Sequence, residues 1–175
     1  GDTEATLSAG IHDITNSLVD DFNLNDVLRI VLETIYRGMG FARVALFTRD
    51  PRTATMPARL ALGEGAADIL RNVVVPLGAT PDVFQVALDK NADLFIADAN
   101  AENIRSRIPT WYRTTLNADT FLLLPIIVDR RAVGLIYGDK PNAGDLVIAP
   151  KELNLMKTLR NQAVLAIRQK SSAGR

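Results

Sequence analysis

Residues 120 to 140, TFLLLPIIVDRRAVGLIYGDK, constrain this chain more than any other stretch. Two apolar runs flank the charged turn Asp129-Arg130-Arg131, and the second run carries Gly134 and Gly138. A run-turn-run of this kind reads as a buried antiparallel hairpin. A loop at Arg130-Arg131, or a four-residue turn over 129–132, pairs Val128 with Val133. Either choice sets Ile126 opposite Leu135, Leu124 opposite Tyr137 and Leu122 opposite Asp139, all on one face. The other face then presents Gly134, Ile136 and Gly138 with Leu123, Pro125 and Ile127. Glycines within a strand allow another element to approach closely, so the glycine face is expected to meet helices.

Around this hairpin the chain reads as helices and short strands. Leu7, Ile11, Ile14 and Leu18 form one stripe of a helix over 3–20. Asn23 is a helix start with Asp26 three residues on, and the next helix ends at Gly38 and Gly40. Strands follow at 41–48 and 55–62, the second carrying Pro57, which suits an edge or a bulge. Thr80-Pro81-Asp82 opens a helix to about Asn91. Residues 94–98 form a strand, and 100–116 are helical with a break at Pro109. Pro150 opens a last helix with a basic end. This order predicts an α+β domain around an antiparallel sheet.

Composition removes whole classes of function. With 175 residues and 47 % apolar content, the chain suits one globular domain, expected over 1–175. Twenty basic and twenty acidic side chains cancel, which argues against a general nucleic-acid binder. There is no cysteine, which excludes disulfides, thiolate zinc sites and cysteine nucleophiles. No segment has the roughly 20 apolar residues of a membrane span. The start, Gly1-Asp2-Thr3-Glu4, is no signal peptide. Gly1 reads as a cloning remnant and the chain as a piece excised from a longer, cytoplasmic one.

LNDVLRIVLETIYRGMGFARVALFTRD near the start and LLPIIVDRRAVGLIYGDK near the end resemble a GAF domain, a small-molecule sensory module of signalling proteins. The resemblance runs from about 5 to 168. The pieces IYRGMGF, PDVF, IPTWYR, LLPI and GLIYGDK are similar to the GAF domain that follows an HDOD domain in bacterial signalling proteins. It implies a central antiparallel sheet of five to six strands, with the N- and C-terminal helices on one face and shorter helices and loops over a pocket on the other. It also implies an upstream domain in the parent chain. Several family chemistries are unsupported here. Bilin attachment and sulfoxide reduction work through cysteine, which is absent. Lys140, Pro141 and Asn142 do not reproduce the cyclic-nucleotide constellation. The lone histidine, His12, lies on the first helix, away from the expected haem position. No cofactor and no metal is expected.

Within that frame the Tyr137 face looks toward 80–91 and 100–116, where such domains hold their ligand. Candidate ligand-binding residues are therefore Arg59, Asp98, Trp111, Arg113, Leu122, Leu124, Tyr137 and Asp139. Each also has a plain structural reading. Tyr137 fills core space and Asp139 caps a turn; Trp111 plugs the sheet within a solvated helix. Asp98 caps the helix starting near Asn100 or pairs with one of the arginines that follow, and Arg59 faces solvent. Arg105, Arg107 and Arg113 with Trp111 and Tyr112 suit an anionic or planar ligand. The end helices, over 3–20 and 151–170, are expected to form a homodimer. Two functions remain open: a ligand-sensing regulatory domain, or a ligand-free dimerisation module. An enzyme is not expected, because a single histidine cannot furnish the usual catalytic sets.

Overall fold

The computed structural model describes residues 2–78 and 80–173; Gly1, on which the excision reading rests, lies outside them. The elements follow as α1 (Asp2–Val19), α2 (Leu24–Met39), β1 (Arg43–Thr48), β2 (Thr55–Gly63), α3 (Ala66–Asn72), β3 (Val74–Pro76), α4 (Val83–Lys90) and β4 (Leu94–Ile96). A 3-10 turn (Arg105–Arg107), α5 (Thr110–Thr114), β5 (Thr120–Val128), β6 (Arg131–Lys140) and α6 (Pro150–Ala173) complete the chain. The strands form one sheet in the order β3-β2-β1-β6-β5-β4, antiparallel throughout. This is the α+β architecture expected from the sequence.

Local chemistry accounts for most boundaries. Asn23 Oδ1 accepts the Asp26 N–H at 3.1 Å, and Gly40 ends α2 in the left-handed region at φ 67°. At α4 the cap is Asp82, not Thr80. Its Oδ1 accepts the Gln85 N–H at 3.0 Å, which leaves Pro81 outside the helix. The predicted helical stretch 100–116 is only the 3-10 turn and the short α5, divided at Pro109. The sequence reading missed α3. It is seven residues long and buries only Ile69, too little for a periodic signal.

The hairpin differs from expectation by one residue. Its two-residue loop is Asp129-Arg130, with φ 52° and 66°, so Val128 pairs with Arg131. Val133 is then the extra residue of a bulge, and Ile126 pairs with Gly134. Leu124 therefore faces Ile136 and Leu122 faces Gly138. A one-residue slip sends every side chain to the opposite face. Leu122, Leu124 and Ile126 thus share the glycine face, where sequence reasoning had put Leu123, Pro125 and Ile127.

The assignment of β6 itself agrees with expectation. Val44, Leu46, Leu122, Leu124, Ile126 and Ile136 pack in one core with α1, α2 and α6. A Cβ on Gly138 would lie 2.8 Å from the Phe41 ring, so this position admits only glycine without displacement. Phe47, Leu123, Leu135 and Tyr137 belong to a second core with α3, α4 and α5. The stripe of α1, Leu7 and Ile14, is buried within the chain beside α2 and α6.

Candidate functional site

The second core contains a buried polar chain. Asp139, 1 % exposed, stands opposite Arg43 across β1 and β6. Arg43 Nη2 and Nε donate to Asp139 Oδ2 at 2.7 and 3.0 Å, and Nη2 also donates to the Leu116 carbonyl at 2.6 Å. The Tyr137 hydroxyl donates to Asp139 Oδ2 at 2.5 Å. Its proton is thereby spent, so in the 2.8 Å contact between the Tyr112 and Tyr137 hydroxyls the donor is Tyr112. Burial pushes the Asp139 carboxyl up, while hydrogen bonds from Arg43 and Tyr137 pull the other way. Burial also holds both tyrosines well above the ordinary phenol value, so they act here as neutral hydrogen-bonding groups.

Aromatic side chains fill the space between the sheet and the short helices. Phe84 of α4 stacks on Phe121 at 5.8 Å, and Tyr112 of α5 lies 4.7 Å from Phe121 and 6.2 Å from Tyr137. An open cleft of about 430 Å3 lies beside this plug, between the β3–α4 segment and the 3-10 turn with α5. Pro76, Gly78, Asp82, Gln85 and Trp111 are among its walls. Asp82 is 8 % exposed, and burial raises its carboxyl above the ordinary range against the pull of the Gln85 and Phe84 N–H groups. The Gln85 amide donates to the Pro76 carbonyl at 2.7 Å and accepts from Gly78 N–H. Trp111 packs on Phe84 at 4.7 Å, and its buried Nε1 has no acceptor among the described residues.

The predicted site residues scatter over these surroundings. Tyr137 and Asp139 lie on the expected face, inside the polar chain. Trp111 borders the cleft. Arg113 Nη2 donates to the Ala99 carbonyl at 2.7 Å and so ties α5 to the preceding turn. Asp98 Oδ1 accepts the Asn100 N–H at 2.9 Å and so closes a turn, where a helix start was expected. Arg59 is the extra residue of a bulge opposite β1 and is exposed to solvent. Leu122 and Leu124 do not belong here: the register places them in the helix-side core. Sequence reasoning missed Arg43, Phe84, Asp82 and Gln85 as site residues, and weighed Tyr112 only within the 102–113 segment. Only Arg43 carried a usable signal, being a charge at the head of an apolar strand. The lone Arg59 drew attention instead.

A GAF-domain model matches residues 23–167, and the chain belongs to that family. GAF domains are regulatory sensory domains of signalling proteins. A search of curated proteins found no match. Among solved structures, the GAF domain of an Acinetobacter phosphoenolpyruvate-protein phosphotransferase is similar at TM-score 0.75 and 15 % identity, covering 98 % of this chain and 95 % of that one. Residues 122 to 287 of a methyl-accepting chemotaxis protein superpose at TM-score 0.72 and 22 % identity, covering 91 % and 95 %. A GAF domain/HD domain protein from Geobacter sulfurreducens gives TM-score 0.69 and 14 % identity, covering 84 % and 93 %. At these identities the likeness shows the fold.

Proposed function

We propose that this domain is a small-molecule sensor within a bacterial signal transduction protein, taking its ligand in the cleft bordered by Trp111 and Asp82. The cleft carries the reading: its walls include buried polar groups, and α4, whose first turn forms part of one wall, is followed by a residue ion-paired to a terminal helix. From its cap at Asp82, α4 runs to Asn91. Asp93 then receives Arg160 Nη1 and Nη2 of α6 at 2.6 and 3.1 Å. A ligand that draws α4 toward α5 therefore pulls on α6, the helix at the far end of the chain. Such a response is bounded by the ligand's differential affinity for the two arrangements.

The rest of the proposal concerns context. The parent is a cytoplasmic protein with an upstream domain of the HDOD type. Two copies associate through 3–20 and 151–170, where α1 and α6 lie side by side and Val19 and Leu165 are exposed. The domain performs no catalysis and carries no cofactor, in keeping with a chain of one histidine and no cysteine. Among the described residues no helix is long and apolar enough to cross a membrane.

The chain has one tryptophan, and it borders the cleft. Thermal-shift screening of metabolites, followed by Trp111 fluorescence titration of each hit, tests the sensor reading directly. Saturable change at Trp111 with a raised melting temperature is expected. Silence across a broad library defeats this reading in favour of a second one, a ligand-free dimerisation module. The packing of Phe84, Tyr112 and Phe121 over Tyr137 favours that alternative. Sedimentation at micromolar concentration tests the dimer, and a persistent monomer removes it.

A further inference from the structure

We infer that the ligand of this cleft is an organic cation, an ammonium or amidinium group carried on a flat or apolar body. The inference rests on the sensor reading and adds the chemical class. Asp82 is the sole ionisable side chain among the described residues that border the cleft. The α4 N-terminus it caps contributes the equivalent of roughly half a positive charge, so a full carboxylate charge leaves the cleft negative. The neighbouring basic residues Arg105 and Arg107 lie in solvent, where their charges are screened more than that of the buried Asp82. They stand on either side of Ser106 and form no part of the wall. Arg113 is directed to the Ala99 carbonyl. The arginines of 102–113 thus place no side chain on the cleft wall for an anionic ligand.

Two further features suit a cation. The Trp111 ring, held against Phe84 at 4.7 Å, supplies an aromatic wall, the best side-chain surface for a cation. The Gln85 amide commits its oxygen and one N–H to the backbone at Gly78 and Pro76 rather than to Asp82. A cation that reaches Asp82 replaces lost hydration with a direct ion pair at a carboxyl already raised by burial.

Benzamidinium, benzamide and benzoate share a shape and differ in charge, and a single tryptophan yields a single indole N–H resonance. Titrating each into the intact domain and following that resonance is the test. Benzamidinium should saturate it with at least tenfold tighter binding than benzamide, and benzoate should leave it unmoved. Asp82→Asn, which keeps the helix cap, should bring benzamidinium down to the level of benzamide; Asp82→Ser, also a good cap, should do the same. Equal or tighter binding of benzoate or benzamide overturns the inference, as does an Asp82→Asn domain that holds benzamidinium unchanged. If the three probes are silent and a metabolite of neutral or negative charge moves the Trp111 resonance, the cation assignment alone falls. If the whole metabolite library is silent as well, the sensor reading falls with it.

Discussion

Tyr137 donates to Asp139 and accepts from Tyr112, so its replacement leaves Asp139 to Arg43 alone and Tyr112 to the longer contact with the Ala118 carbonyl at 3.3 Å. Tyr137→Phe should lower stability by about 1–3 kcal/mol in urea unfolding. Because the tyrosines share one network, the Tyr112→Phe/Tyr137→Phe pair should cost less than the sum of the single changes. Arg43→Met should cost about 3 kcal/mol, since it leaves the Asp139 carboxylate buried and unpaired. Equal stability in that variant would show that Asp139 is neutral in the fold. Asp82 gives a prediction in pH. Its folded-state pKa is raised above the ordinary 3.8, so the unfolded chain releases this proton first. The stability it contributes is full below that ordinary value and is lost as pH rises through the folded-state pKa. Asp82→Asn keeps the cap and removes the dependence. Its advantage over the parent should therefore grow between about pH 4 and 7. Asp139 has the same sign and cancels in the difference; a constant difference across that range would refute the burial effect.

At the scale of elements, the hairpin turn holds two non-glycine residues at positive φ, Asp129 and Arg130. The left-handed region costs a side chain roughly 1–2 kcal/mol, and glycine avoids that cost while losing more chain entropy. Arg130→Gly should thus raise stability by about 1 kcal/mol in denaturant unfolding; a loss would mean that Arg130 makes a contact worth more than its strain. The same hairpin shows where pattern stops carrying information. Its existence, its ends and the facing of β6 were legible, because glycines at 134 and 138 call for a close neighbour. The register of β5 was not. TFLLLPIIV is apolar on both faces, so a slip by one residue buries nothing polar and leaves no trace in the alternation. That ambiguity is why Leu122 and Leu124 were placed over the cleft and lie under the helices. The long amphipathic α2, in contrast, was readable from cap to cap.

Across the whole molecule, the Asp93–Arg160 pair joins the end of α4 to α6 over a long span of sequence. Arg160 also donates to the Pro125 carbonyl at 3.0 Å, so one side chain ties the α4–β4 connection, β5 and α6 together. Arg160→Met should release that connection. Amide exchange at 91–96 should quicken about tenfold, the equivalent of about 1.4 kcal/mol, while α2 stays protected. Unchanged exchange at 91–96 would mean that α4 and α6 are held by packing alone, and the proposed route from cleft to terminus would lose its link. Taken by itself, the amino-acid sequence determined the helices at both ends, the antiparallel hairpin and the family, because periodicity, caps and glycines act over a few neighbouring residues. It also determined which chemistries are impossible, because absent cysteines cannot be supplied by folding. Only the tertiary structure decided that Arg43 meets Asp139, that Phe84, Tyr112, Phe121 and Tyr137 pack together, and that Asp82 borders the open cleft. These are encounters between residues far apart in the chain. No pattern within a few neighbouring residues encodes them.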